Sequence, residues 1–152
     1  MTRSSQSALA ALLALAVVPW VVQPNGAGDL TAVMSWGLLN TNPWHALPLS
    51  TYLNATQGFS TLPQSLQVWP LGLAFYCGAV GSAAGGVVFD REDVRVTVGL
   101  LALSAVSSVI VWQGLLGRGA SGAIPVGVVA IAIVIWWFYA SLILQEPTQS
   151  DR

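Results

Sequence analysis

The sequence predicts an all-α integral membrane protein: a bundle of four transmembrane helices with a long, partly helical loop on its outer side. Three observations predict it. Charged residues make up 7% of the 152-residue chain and hydrophobic residues 55%, against about 25% charged in an ordinary soluble domain. The five arginines and six acids lie outside, or at the very edge of, four long apolar runs, at residues 8–22, 66–89, 94–116 and 123–144. The chain also has no lysine, so a water-facing surface would be almost bare of charge.

The first span is predicted over about residues 5–23. Its apolar run is short, Pro19 interrupts it, and it reaches spanning length only with residues 4–7 and Gln23 included. The alternative is a cleaved signal peptide with Arg3 as its basic region and residues 8–18 as its apolar core. No small-x-small cleavage site follows, and Trp20 stands where a small residue is wanted, so the retained span is the reading adopted. The other three spans, 66–89, 94–116 and 123–144, each meet the roughly 20 residues that a helix needs to cross a hydrocarbon core. Backbone in lipid must satisfy its own hydrogen bonds, which selects helix over open strand. A tight cytoplasmic turn, 90–93, makes an antiparallel hairpin of the second and third spans. Residues 117–122 join the third and fourth, and a cytoplasmic tail covers 145–152. The whole chain, 1–152, reads as a single membrane domain.

The outer loop, 24–65, is unusually long for a small protein. It has one charge, Asp29, and carries Leu30, Trp36, Leu38, Leu39 and Trp44. That is too apolar to stay solvated and disordered, so the loop is expected to fold onto the bundle or lie in the interface. Asp29 could N-cap a short helix ending near Asn40. Pro43 and Pro48 bracket a turn, and residues 49–56 suit a second short helix.

Arg3, Arg91, Arg95 and Arg152 fall on one side of this arrangement and Arg118 on the other. The positive-inside rule then predicts a multi-pass protein of the cell membrane with both termini in the cytoplasm. Trp20, Trp69 and Trp112 fall near the outer ends of three spans, while Trp136, Trp137 and Tyr139 fall toward the inner end of the fourth. All six are read as interfacial anchors.

Gly78, Gly81, Ser82 and Gly85 share one face of the second span, and Gly81 to Gly85 is a G-x-x-x-G, which lets two helix backbones approach closely. Thr97, Ser104, Ser107, Ser108 and Gly114 line roughly one face of the third. The two faces are predicted to pack on each other. Self-association through the G-x-x-x-G is the alternative, and a serine-lined path for a small neutral solute is a third reading. In the loop, Trp36, Asn40, Asn42, Trp44 and His45 form a candidate interaction surface, because tryptophan and asparagine suit ordered recognition.

Several motifs read as structural. Gly117-Arg118-Gly119-Ala120-Ser121-Gly122 matches a dinucleotide fingerprint, but it lies between two spans and has no acid about 20 positions on. A flexible turn explains it. Cys77 has no disulfide partner and reads as a small buried apolar residue. His45 is the only histidine and Asp29 the only acid in its loop, short of the three or four ligands of a metal site. Neither a metal nor another cofactor is expected. Asn54-Ala55-Thr56 is a glycosylation sequon on the outer side. No ionisable residue sits inside a span, which argues against ion-coupled transport, and a net charge of −1 excludes a basic nucleic-acid surface.

The segment Trp36-Gly37-Leu38-Leu39-Asn40-Thr41-Asn42-Pro43-Trp44-His45 resembles a recurring segment of small multi-span membrane proteins of halophilic archaea. Pro19-Trp20, Trp69-Pro70, Arg91-Glu92-Asp93 and Trp136-Trp137-Phe138-Tyr139 extend the likeness over most of the chain. The resemblance implies an archaeal cell membrane and a high-salt setting. It carries over no catalytic residue, since that family has no assigned function. The expected role is a non-catalytic accessory or assembly subunit whose partners are the lipid bilayer and other membrane subunits or further copies of itself. The alternatives are a small oligomeric channel or facilitator for a neutral solute, and a membrane enzyme using Asp29 and His45.

Overall fold

The structure, a computed structural model, describes residues 5–26, 28–89 and 93–145, with side chains through residue 140. Arg3, the turn residues 90–92, and the tail beyond 145 lie outside the described residues, and with them most of the charges behind the expected orientation. Helix α1 (Ser5–Ala14) runs through one 3-10 turn (Leu15–Val17) into four strands: β1 (Val21–Pro24), β2 (Leu30–Val33), β3 (Gly37–Thr41) and β4 (Trp44–Pro48). These are followed by α2 (Leu49–Ala55), a 3-10 turn at Phe59–Thr61, and the long helices α3 (Gln64–Phe89), α4 (Val94–Leu116) and α5 (Val126–Gln145).

The expected all-α bundle of four spans is therefore wrong. The region read as an outer loop forms an antiparallel sheet in the order β1-β2-β3-β4, and β1 begins inside what was read as the first span. Helix α1 has ten residues and is about 15 Å long, half the thickness of a hydrocarbon core. Among the described residues, only α3 and α4 are long and apolar enough to cross a membrane. Ser5–Val17 and Val126–Ala140 are shorter apolar helical stretches.

The sheet is a meander with three short turns, and the sequence marks each of them. Asn25-Gly26, Ser35-Trp36-Gly37 and Asn42-Pro43 recur at intervals that suit short strands. The predicted helix between Asp29 and Asn40 is two strands instead. Asp29 closes the first turn through its backbone, bonding Gly26 and Asn25 at 2.9 Å each. The turn expected between Pro43 and Pro48 is β4. The short helix expected over 49–56 is α2.

Register sorts the sheet into two faces. Val21, Val33, Leu38 and Leu47 stand in one cross-strand row, and this row faces the core with Leu49, Leu62, Leu66, Trp69 and Val111. The next row on the same face is polar: Gln23, Thr31, Asn40 and His45. Thr31 Oγ1 donates to Asn40 Oδ1 at 2.8 Å. The sheet thus caps the ends of α3 and α4 with its apolar half and carries its polar half beyond them.

Tryptophans fasten this cap. Trp69 Nε1 donates to the Met34 carbonyl at 2.9 Å, Trp36 Nε1 to the Ala16 carbonyl at 2.9 Å, and Trp112 Nε1 to the Ala123 carbonyl at 2.8 Å. Trp20 is buried between Gly72 and Gly127. The three residues expected at the outer interface as anchors are thus buried or half-buried joints between sheet and helices. Each indole N–H that finds a carbonyl contributes about 1 kcal/mol net.

Helices α3 and α4 make the largest helix contact in the molecule. Asp93 caps α4, accepting from the N–H groups of Arg95 at 3.0 Å and Val96 at 3.3 Å. Along the contact, buried positions recur at alternating spacings of three and four. They are Trp69, Gly72, Tyr76, Ala79, Ala83 and Gly86 on α3, and Thr97, Leu101, Ser104, Ser108 and Val111 on α4. Small side chains on both sides allow the backbones to approach closely.

Candidate interaction surfaces

The serine face expected on α4 is the face that packs inward. Ser104 and Ser108 are fully buried, Ser107 nearly so, and Ser107 Oγ donates to the Leu103 carbonyl at 2.9 Å. Thr97 Oγ1 bonds Ser82 Oγ at 2.8 Å, tying the two helices together near their turn. Among the described residues the Ser104 and Ser108 hydroxyls find no partner, and neither does that of Ser35 in the β2–β3 turn. These serines line a packed helix contact.

The glycine face of α3 lies elsewhere. Gly72, Ala79, Ala83 and Gly86 are buried and Ser82 bonds Thr97 of α4, whereas Gly78 and Gly81 are exposed and Gly85 half-exposed. A methyl group added at Gly81 or Gly85 would touch nothing within 4 Å, and one at Gly78 would meet only the Leu100 side chain, at 3.2 Å. Leu71, Ala74, Gly78, Gly81, Gly85 and Val88 fall at alternating spacings of three and four, so they form a second stripe running along the outside of α3. The sequence pattern showed the motif but not its direction. Both stripes are small and apolar, and one helix can turn only one of them to α4. Cys77 borders the outer stripe and is exposed, contrary to the buried position expected for it.

A second apolar surface lies on α5. Val129, Ile133, Trp136 and Trp137 are all more than half exposed, and with Val128 and Ala132 they line a shallow groove of about 480 Å³. Trp136 and Trp137 stand out from the helix, while Tyr139 is buried.

The expected recognition residues of the sheet separate into two groups. Trp36 and Asn40 are engaged, by Ala16 and Thr31 respectively. Asn42, Trp44 and His45 are exposed at the far tip, beyond a cis Asn42-Pro43 peptide. Asp29 and His45 do not come together. His45 is opposite Asn40 on β3, and Asn40 is opposite Thr31 on β2. Two strand spacings of about 4.8 Å therefore separate the histidine from the strand that Asp29 precedes. That is well beyond the reach needed for acid–base catalysis.

The glycine-rich segment between α4 and α5 is a turn. Gly119 and Gly122 adopt positive φ, +89° and +91°, which an L side chain resists. Arg118 folds back within it. Its Nε donates to the Gly114 carbonyl at 2.9 Å and a terminal nitrogen to Ser65 Oγ at 3.0 Å. The guanidinium thus neutralises the carbonyl end of α4. Asn54, in the sequon, is exposed at the end of α2.

These features define an apolar helical hairpin, capped at one end by a β-meander, with an uncovered small-residue stripe along its outer side. The chain belongs to the family of a domain of unknown function, DUF8050, whose profile matches residues 1–147. No curated protein and no solved structure matches it.

Proposed function

We propose that this protein is a non-catalytic accessory or assembly subunit of the cell membrane, docking on its partners or on further copies of itself through the outer stripe of α3. The observation that carries the reading is the open G-x-x-x-G at Gly81 and Gly85, one exposed and one half-exposed position where, among the described residues, an added methyl group would meet nothing within 4 Å. Within lipid, helices associate by close backbone approach at such positions. The surrounding surface favours the bilayer as its solvent. Apolar faces on α3 and α5 with no charged side chain would promote aggregation in water.

In this reading the α3–α4 hairpin crosses the bilayer and the sheet lies on the outer side with Arg118. The end of α4 that carries Arg95 faces the cytoplasm. The facilitator reading has no water path to support it, because its serines are enclosed by the helix contact. The test is expression of the full chain, followed by membrane fractionation with an alkaline wash and measurement of association in bilayers by energy transfer between labelled copies or by co-purification. The protein is expected to stay with the membrane, and Gly81→Ile is expected to abolish association while the fold survives. A chain that washes off, or one that is monomeric in lipid and co-purifies with nothing, would overturn the proposal.

A further inference from the structure

The two edges of the sheet are not alike. The β1 edge is covered, because Val22 exchanges both backbone bonds with Ile124, at 3.0 and 2.8 Å. Among the described residues, nothing comparable is bonded to the outer side of β4. In an antiparallel ladder, successive residues alternate between bonding one side and the other. The Leu49 N–H donates to the Trp36 carbonyl at 2.8 Å, which sets the phase of the β3–β4 pairing. Leu47 and His45 then bond β3, while Trp44, Ala46 and Pro48 turn their backbone groups outward. By this phase the N–H groups of Trp44 and Ala46 point away from β3. Ala46 is exposed and Trp44 is 79% exposed.

An uncovered edge is a template for pairing, and proteins usually blunt it with charge. Strand β4 has no Asp, Glu, Lys or Arg. This neutrality bears on the kind of partner. When an edge pairs antiparallel with its own copy, a charge at the central residue would meet its like directly, so an uncharged centre such as Ala46 suits self-pairing. The apolar face next to this edge also continues across it, through Leu39 and Ala46.

We propose that β4 pairs antiparallel with the β4 of a second copy of this chain, centred on Ala46, to form one continuous eight-stranded sheet. This register alone lays the full strand, residues 44–48, against the full strand of the second copy. Each Ala46 N–H then donates to the second copy's Ala46 carbonyl. Each Trp44 N–H donates to the second copy's Pro48 carbonyl, and proline has no N–H of its own to leave unsatisfied there. On the outward face each Trp44 indole covers the second copy's Pro48 ring, while His45 faces Leu47. This contact is independent of the α3 stripe, so the failure of one would leave the other standing.

The test uses the full chain in mild detergent, with Cys77→Ser as background. Ala46→Cys places two thiols about 5.5 Å apart at their Cα atoms, within the span a disulfide bridges. It is expected to give a disulfide-linked dimer under mild oxidation, whereas Ser50→Cys, on the exposed face of α2, is not. Ala46→Pro removes the outward N–H without costing the sheet an internal bond, and is expected to weaken dimerisation about tenfold or more. Ala46→Lys, at a position exposed in the single chain, is expected to weaken it similarly by setting like charges face to face. Gly81→Ile should leave the Ala46→Cys crosslink intact. The proposal is overturned if Ala46→Cys crosslinks no faster than Ser50→Cys, or if the dimer survives both Ala46→Pro and Ala46→Lys. It is also overturned if the chain stays monomeric and takes up an unrelated strand peptide at this edge instead.

Discussion

Helix α3 carries small residues on two sides, and the two sides have different fates. The inner stripe, Gly72 to Gly86, is filled by α4 and by Trp20. In the outer stripe Gly81 and Gly85 meet open space, and Gly78 meets only the Leu100 side chain of α4. Both stripes are rich in glycine and alanine. What separates them is the neighbour each finds: α4 supplies Leu101, Ser104, Ser108 and Val111 to the inner stripe, and among the described residues no element reaches most of the outer one. A small-residue motif therefore says that two backbones can meet. Where the second backbone comes from depends on the rest of the fold.

Substitutions along the two stripes can break or sharpen this contrast. The largest effect is expected at Gly72, where even a Cβ would lie 2.6 Å from both Ser107 Cβ and the Trp20 ring. Gly72→Leu should destabilise the single chain by about 3 kcal/mol or more, read as a drop in thermal midpoint in detergent. A midpoint close to that of the parent would mean that the inner contact is looser than described. Next comes Trp69→Phe, which keeps the ring that packs on Tyr52 at 5.7 Å but leaves the Met34 carbonyl without its donor. About 1–3 kcal/mol should be lost, and hydrogen exchange in the β2–β3 turn should rise with it.

A smaller effect, of opposite sign, is expected at the serines. Ser104→Ala and Ser108→Ala remove buried hydroxyls that find no partner among the described residues, so stability should hold or rise by up to about 1 kcal/mol. A clear loss would reveal a bound water or another acceptor in the contact. The smallest effect on the fold is expected at Gly81→Ala. It meets nothing within 4 Å and replaces a helical glycine with a better helix former, a gain of at most about 1 kcal/mol. The same substitution should nonetheless reduce association in lipid. If Gly81→Ala and Gly72→Leu shift stability alike, the contrast between the stripes is lost.

The sequence revealed the helices more readily than the sheet. Helix α4 occupies the residues of the third apolar run, and α3 starts two residues before the second. Long charge-free runs leave helix as the natural way to satisfy the backbone, so their ends follow from where polar residues return. The sheet was hidden for a physical reason. An alternation of apolar and polar residues marks a strand with one wet face, but Val21-Val22 and Leu38-Leu39 are apolar on both, and Trp44 to Pro48 has His45 as its one polar side chain. The clue lay in the turns instead, because Asn25-Gly26 and Asn42-Pro43 space the loop at strand lengths. The first span failed similarly. Ala8 to Val22 is one apolar run in the sequence, yet its first part is a helix and its last two residues open β1.

The candidate sites were legible in kind and less so in direction. Composition brought out the G-x-x-x-G and the serines, but helix rotation decides which of them is buried, and that depends on how α4 and Trp20 pack. The tip residues Trp44 and His45, singled out by residue type as part of a candidate interaction surface, are exposed. The free backbone of β4 had no signal in side-chain chemistry, because it follows from register.

The bridge between Val22 and Ile124 has a consequence for the order in which the molecule is made. Strands β1 to β4 leave the ribosome early, and they can pair with one another at once because each neighbours the next in sequence. The segment that closes the β1 edge arrives only after the whole α3–α4 hairpin has been synthesised. Until then the nascent sheet has two open margins rather than one. The growing chain is most prone to wrong pairings in this interval, and a chain cut short before residue 124 would remain in it permanently.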